Sequence, residues 1–436
     1  MYYHNTKYKF KLQDESPDDL AGAIIASSAM MRDQLQRREL AEHTYLRHRY
    51  FDPQLYLAAL DPTRATTAVP ILASYPWFGE PDIPPFETGK HKSLAAYKKS
   101  VSPALLDGWR RAPLSEQGDI EQAARAAVAL QLDIECEGII LPAPLVDSVN
   151  RGFHDAAQWI DAGLKACAAL RVTKPVFATV AICDTMLQNV PAANNPVLLA
   201  VTDHIAARAG LAGAYVVIET RDGDAYSFQG QDTPRGLLTL VDDLVRGAGR
   251  QVIVNYAGCF GVLCRAVGAS VWSSGYNLSQ RRLKSADFYR TKGGSQFPRY
   301  FSTSLAGDVG LEEDLDAIIE AGLFKQISTP TLAAKPLHDA IRRGTSPGRV
   351  PSWEYAKSRT TAAGAHYNEC MRDLGATLES HDAQGRIDLV EHWLSKASAL
   401  AKQLKNAGIE PSRATELEHQ SIWLKLFREW RTLSGR

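Results

Sequence analysis

No apolar run in this 436-residue chain approaches the roughly 20 residues needed to cross a bilayer, so no membrane-spanning helix is expected. Cysteine is sparse and scattered. Cys136, Cys167, Cys183, Cys259, Cys264 and Cys370 form no CxxC pair, and most lie within apolar patterns where a free thiol behaves as a small hydrophobe. That spacing argues against a disulfide framework and a structural zinc site. Charge of one sign is missing as well: the formal net charge is +0 and the pI about 7.2, so no global field draws the chain to nucleic acid or anionic lipid. Several signatures are also lacking, namely a GxGxxG after a strand, a Walker A lysine, HExxH and a Gly-x-Ser-x-Gly elbow. His91, His154, His204, His338 and His366 stand alone, without metal-ligand spacing. Neither a cofactor nor a metal is therefore expected. The opening Met1-Tyr2-Tyr3-His4-Asn5 lacks the basic-then-apolar order of a signal peptide, which leads us to expect a cytoplasmic protein.

What the chain does have is a rhythm. Ile139–Pro142, Pro175–Ile182, Gly213–Glu219, Gln251–Asn255 and Ser270–Ser273 are short, β-branched and continuously apolar. Such strands are buried on both faces, as in a parallel sheet. Helical patterns over Asp155–Leu170, Pro196–Ala207 and Pro234–Val245 separate them, at the spacing of βαβ units. Earlier strands are expected at Tyr50–Tyr56 and Val69–Tyr75, and a later one at Arg299–Leu305 before a helix over Leu311–Leu323. The first 12 residues could add an edge strand, and Ser16-Pro17-Asp18-Asp19 starts a helix running toward His43. A proline-rich stretch from Pro76 to Gly89 reads as a long loop of the kind used as a lid.

The strand count of about eight predicts an α/β fold, a (β/α)8 TIM-type barrel over residues 45–330. An N-terminal helical extension over 1–44 precedes it. A linker over 331–352 leads to an all-helical appendage over 353–436. An open doubly wound sheet is the alternative. The appendage reads as a stabilising cap, or as a surface for a second copy or a protein partner anchored by Trp393, Trp423, Phe427 and Trp430.

In such folds the ligand site lies at the C-terminal ends of the strands. Asp52, Asp184 and Glu219 each follow a strand and are the candidate acid and base groups. Each has a plainer role available, a turn cap or an ion pair with Arg221. Asn255 and Tyr256, after the next strand, are candidate substrate-binding groups. Ser273-Ser274-Gly275 offers hydroxyls and backbone N–H groups for an anion. Between Arg281 and Arg299 lie six basic residues (Arg281, Arg282, Lys284, Arg290, Lys292, Arg299) against one acid, Asp287. Guanidinium forks beside Gly293-Gly294 suit an anionic ligand or a nucleic-acid backbone, and a solvated basic loop is the alternative.

The order of elements from Glu137 to Arg282, with Arg265-Ala266-Val267-Gly268-Ala269 in the turn before the last strand, resembles the second half of the tRNA-guanine transglycosylase barrel. The likeness is one of order and texture. The family's nucleophilic aspartate would fall at Ser273 or Ser274, and its Asp-Ser-Gly-Gly motif and zinc-binding cysteine cluster are absent. The resemblance implies a divergent branch in which Glu219 contacts a base and Arg281 and Arg282 contact phosphate. The expected function is a transferase (glycosyl or base exchange) or hydrolase acting on a small anionic, nucleobase- or nucleotide-containing substrate. A catalytically degenerate barrel that serves as a protein- or nucleic-acid-binding scaffold is the alternative.

Overall fold

The computed structural model describes residues 2–5, 21–36, 46–79, 87, 90, 92–109, 114–148, 153–221, 228, 230–289, 298–353, 361–409 and 417–436. Its centre is an eight-stranded parallel sheet. The strands are β1 (Tyr2–Asn5), β2 (Ala23–Ala26), β3 (Arg49–Asp52), β4 (Ile139–Leu141), β5 (Val176–Cys183), β6 (Gly213–Glu219), β7 (Gln251–Asn255) and β8 (Val271–Ser274). They hydrogen-bond in the order β3-β2-β1-β8-β7-β6-β5-β4. Both faces are covered, and every residue of β5 and β6 is buried. The sheet's two end strands also meet: Glu137 N donates to Arg49 O at 2.8 Å, and Tyr50 packs edge-on against Phe177 at 5.8 Å.

Helices alternate with the later strands. α1 (Gln117–Asp133) precedes β4, α2 (His154–Ala169) precedes β5, α3 (Pro196–Ala206) precedes β6, α4 (Asp232–Asp242) precedes β7 and α5 (Gly261–Val267) precedes β8. Local chemistry sets these boundaries. Asn195 caps α3, its Oδ1 accepting from Val197 N and Leu198 N, with Pro196 at the first helical position. Gly268 ends α5 at φ 137°, a conformation that favours glycine.

The early part of the chain departs from the expectation. Val69–Tyr75 is not a strand; it begins in a helix, Ala68–Leu72, and continues as a turn. Pro70 cannot donate to a sheet ladder but fits a helix's first turn, and so short an apolar run is ambiguous by periodicity. The expected helix toward His43 is broken by β2, which is buried between β1 and β3; residues 6–20 and 37–45 lie outside the description. The N-terminal segment therefore supplies two strands of the sheet, and β1 lies inside it rather than at an edge. Tyr50–Tyr56 is a strand only to Asp52, with a 3₁₀ turn at Leu55–Leu57. Most of the expected loop Pro76–Gly89 falls outside the described residues.

Arg299–Ser302 does form a strand, but it pairs antiparallel with Gly307–Gly310, apart from the main sheet. This hairpin joins Leu315, Leu337, Trp353, Leu400 and Leu404 in a second, smaller core. The C-terminal region is helical: α6 (Thr361–Glu379), α7 (Ala383–Asn406) and α8 (His419–Leu433). Its aromatic residues serve the chain's own packing. Trp423 is fully buried, donates to Phe228 O and meets Phe260 edge-on; Phe427 and Trp430 are buried; Trp393 donates to Thr303 O. Among the described residues no helix is long and apolar enough to cross a membrane.

The β6–β7 pairing tolerates no side chain at Gly213, where an added Cβ would lie 1.8 Å from Gln251 O. Gly213→Ala is expected to lower unfolding free energy by about 3 kcal/mol through overpacking. Chemical denaturation measures this, and an unchanged midpoint would contradict the register.

Candidate functional site

The C-terminal ends of β2, β3 and β7, together with Tyr215 in the first half of β6, carry a connected set of polar side chains. Asp52, at the last position of β3, is completely buried. Its Oδ2 accepts from the Tyr56 hydroxyl at 2.5 Å and the Tyr215 hydroxyl at 2.7 Å, and its Oδ1 accepts from Gln54 N at 3.0 Å. Tyr215 projects from β6, and its hydroxyl accepts from Asn255 Nδ2 at 2.5 Å. Asn255 Oδ1 in turn accepts from Tyr256 N. Gln54 closes the ring, donating through Nε2 to the Tyr256 hydroxyl at 2.8 Å and accepting at Oε1 from Ser28 N and Ser27 Oγ. Both Gln54 (φ 51°) and Tyr256 (φ 58°) adopt left-handed backbone, which costs a non-glycine residue energy and is common where a fold holds a functional group in place.

The electrostatics follow from burial. Desolvation raises the Asp52 carboxyl from its ordinary 3.8 to about 6, against the opposing pull of the Tyr56 and Tyr215 hydroxyls and Gln54 N. Among the described residues no cation is bonded to it. Burial and the neighbouring carboxylate push both tyrosines well above 10, so they stay protonated as donors. The result is a carboxyl that titrates near neutrality, held by two permanent hydrogen-bond donors.

Asp184 and Glu219 belong to a second cluster nearer the rim. Glu219 ends β6 four residues beyond Tyr215, roughly 13 Å further along the strand. It accepts from Arg221 Nε at 3.1 Å and from Ser285 Oγ. Arg221 also pairs with Asp147 at 2.9 Å, and its backbone N–H donates to Asp184 Oδ2 at 3.2 Å. Cys183 stands opposite Glu219 in the β5–β6 register, its thiol pushed up to about 11 by burial, so it remains a thiol. The three expected carboxylates thus share one end of the sheet but sit in two clusters.

The expected anion site divides differently. Ser274 turns away, its hydroxyl 2.8 Å from the Tyr367 hydroxyl on α6. Ser273 is fully buried and its hydroxyl has no hydrogen-bond partner among the described residues. Gly275 packs against the Gln280 side chain and its carbonyl accepts from Arg281 Nε. Arg281 is buried: it pairs with both oxygens of Asp308 (2.9 and 3.0 Å) and lies 3.3 Å over the Tyr367 ring. Arg282 is buried too, 3.7 Å from Asp287. Both arginines therefore already neutralise a carboxylate inside the protein. Arg290 and Lys292 lie outside the described residues.

Tyr215, Tyr56, Ser27 and Ser285 were not singled out from sequence. For Tyr215 a signal exists: a phenol within an otherwise apolar, fully buried strand must find a partner for its hydroxyl. The six cysteines are all buried and free, and among the described residues no cluster of His, Cys, Asp and Glu has metal-binding geometry.

Two outcomes are expected. Because the folded pKa of Asp52 exceeds the unfolded one, the native state binds its proton more tightly between pH 4 and 6, and stability falls as pH rises through that window. Asp52→Asn should therefore gain about 2 kcal/mol on the wild type between pH 4 and pH 7, whatever its stability at either end. Denaturant titrations at both pH values measure the difference, and a pH-independent gap would contradict it. Arg281→Ala leaves the part-buried Asp308 carboxylate without its partner and should cost about 3 kcal/mol, largely recovered in Arg281→Met/Asp308→Leu. A wild-type melting temperature for Arg281→Ala would show that the pair is not structural. No protein-family model matches the chain, and no curated protein is significantly similar to it in sequence.

Proposed function

We propose that the eight parallel strands close into a (β/α)8 barrel and that its C-terminal mouth is an enzyme site acting on a nucleobase- or nucleotide-containing substrate. Closure is supported by the strand order, which follows the chain around the sheet with β3 and β4 at its ends, and by the Glu137–Arg49 hydrogen bond between those ends. The observation that carries the enzyme reading is Asp52: a fully buried carboxyl at a strand's C-terminal end, with a pKa of about 6 and no paired cation among the described residues. A group so tuned takes and returns a proton near neutral pH.

The reaction class is group transfer or hydrolysis at a base–sugar bond, in line with the resemblance to tRNA-guanine transglycosylases. Ser273 stands where that resemblance would put a nucleophilic carboxylate, and among the described residues no base is bonded to its hydroxyl. Direct displacement is then the simpler route. The incoming water or base gives a proton to the Asp52 carboxylate as its new bond to the sugar forms, and the departing base leaves with the bonding pair and takes that proton back from the Asp52 carboxyl. Asn255 and Gln54 fix the tyrosines and the Asp52 carboxyl, while Glu219 and Arg221 at the rim meet the polar part of the substrate. Arg281 and Arg282 shape the wall behind the site rather than touching phosphate.

A scaffold reading has one observation in its favour: Glu219, Arg281 and Arg282 are each engaged by a partner within the chain. The two readings separate in a screen of labelled nucleobases for incorporation into nucleosides and RNA, with base release followed in parallel. The enzyme reading expects turnover with an acid limb inflecting near pH 6 and a loss of at least about 100-fold in Asp52→Asn. Nucleic-acid binding without turnover, indifferent to Asp52→Asn, would support the scaffold instead.

A further inference from the structure

Away from the mouth, a groove of about 630 Å³ runs between α4, the turn near Val190 and α8. Its apolar wall is formed by Leu238, Leu426, Trp430 and Leu433. Two of its residues are large hydrophobics left in water: Leu433 is 88 % exposed and Val190 is 38 % exposed. An apolar recess with hydrophobic side chains exposed at its rim is the usual form of a ligand site, and this volume suits a small molecule.

The charges along the groove select the ligand's sign. Arg235 bridges Asp232 and Glu429 at 3.4 and 3.0 Å, and Arg246 forms a two-pronged pair with Asp242. One carboxylate is left over. Asp243 lies half-buried at the start of a π-helical turn, Asp243–Gly247; its backbone is hydrogen-bonded, but its carboxylate has no hydrogen bond or ion pair among the described residues. Burial and the like charge of Asp242 raise its pKa while Arg246 lowers it, so its anion is only partly compensated. Wide turns of this kind recur at functional sites, where they re-aim side chains. Four acids and two arginines line the groove and Lys425 stands 3.8 Å from Glu429 beside it, which still leaves a net acidic charge.

We propose that this groove binds amphipathic amines, with an apolar body along Leu238, Leu426, Trp430 and Leu433 and a protonated nitrogen at the Asp243 carboxylate. The site is independent of the barrel-mouth chemistry, since its residues come from the outer helices and their turns.

Isothermal titration of the full chain at pH 7 with octylamine, octan-1-ol and octanoate tests it, because the three share an apolar body and differ in charge. Octylamine should bind at least tenfold more tightly than either of the others. Asp243→Asn should abolish that preference while the melting temperature stays unchanged. Leu433→Lys, at an exposed position that folding does not need, should weaken octylamine at least tenfold by placing a second cation at the rim. Equal affinity for all three probes would reduce the groove to an apolar surface and overturn the proposal. So would an absence of octylamine binding, or a preference that survives Asp243→Asn.

Discussion

The Tyr215 hydroxyl sits 2.7 Å from Asp52 Oδ2, although their strands are five steps apart along the sheet, through β3, β2, β1, β8, β7 and β6. Their contact brings two distant strands of the sheet together around a fully buried carboxyl. Once enclosed, a carboxylate loses its water, and the free energy of the fold depends on what replaces it. Here two phenols, an amide N–H and the ring through Asn255, Tyr256 and Gln54 replace it, so four strands are tied to one buried charge. The same enclosure that shapes the sheet raises the Asp52 pKa.

The surrounding charge is arranged on the opposite principle. Arg281 with Asp308, Arg282 with Asp287 and Arg221 with Glu219 and Asp147 are pairs in which each charge is answered locally. The two pairs of Arg281 and Arg282 are largely buried and add little net stability, but breaking one leaves a stranded charge, so they fix which segments lie together; the Arg221 pairs are half-exposed. Arg281 joins the loop after β8 to the hairpin at Asp308 and to Tyr367 on α6. It thereby connects the sheet to the smaller core and the helical region.

Much of this arrangement was legible in the residues, and the exceptions have physical causes. β5, β6 and β7 are long, apolar and β-branched, so their burial was written in composition alone. The first residues read as an edge strand, but β1 pairs on both sides, with β2 and β8; β2 is only four residues, and its identity comes from pairing with β1 and β3. Val69–Tyr75 has strand composition, but Pro70 favours the helix. Asp52 could be found because it follows an apolar strand. Its partner Tyr215 carried only half a signal: a phenol in an apolar strand needs a partner for its hydroxyl, but the sequence does not say which one. Arg281 looked available for an anion because its partner Asp308 lies 27 residues further on.

The most direct test of the central claim is a crystal structure of the protein soaked with a purine base and phosphate. If the Asp52 ring is an active-site floor, the base will lie between it and the Glu219–Arg221 rim, within hydrogen-bond reach of the Asp52 or Asn255 side chain. A mouth filled by the protein's own side chains, with base and phosphate bound elsewhere or not at all, would make the ring a structural clasp and contradict the enzyme reading.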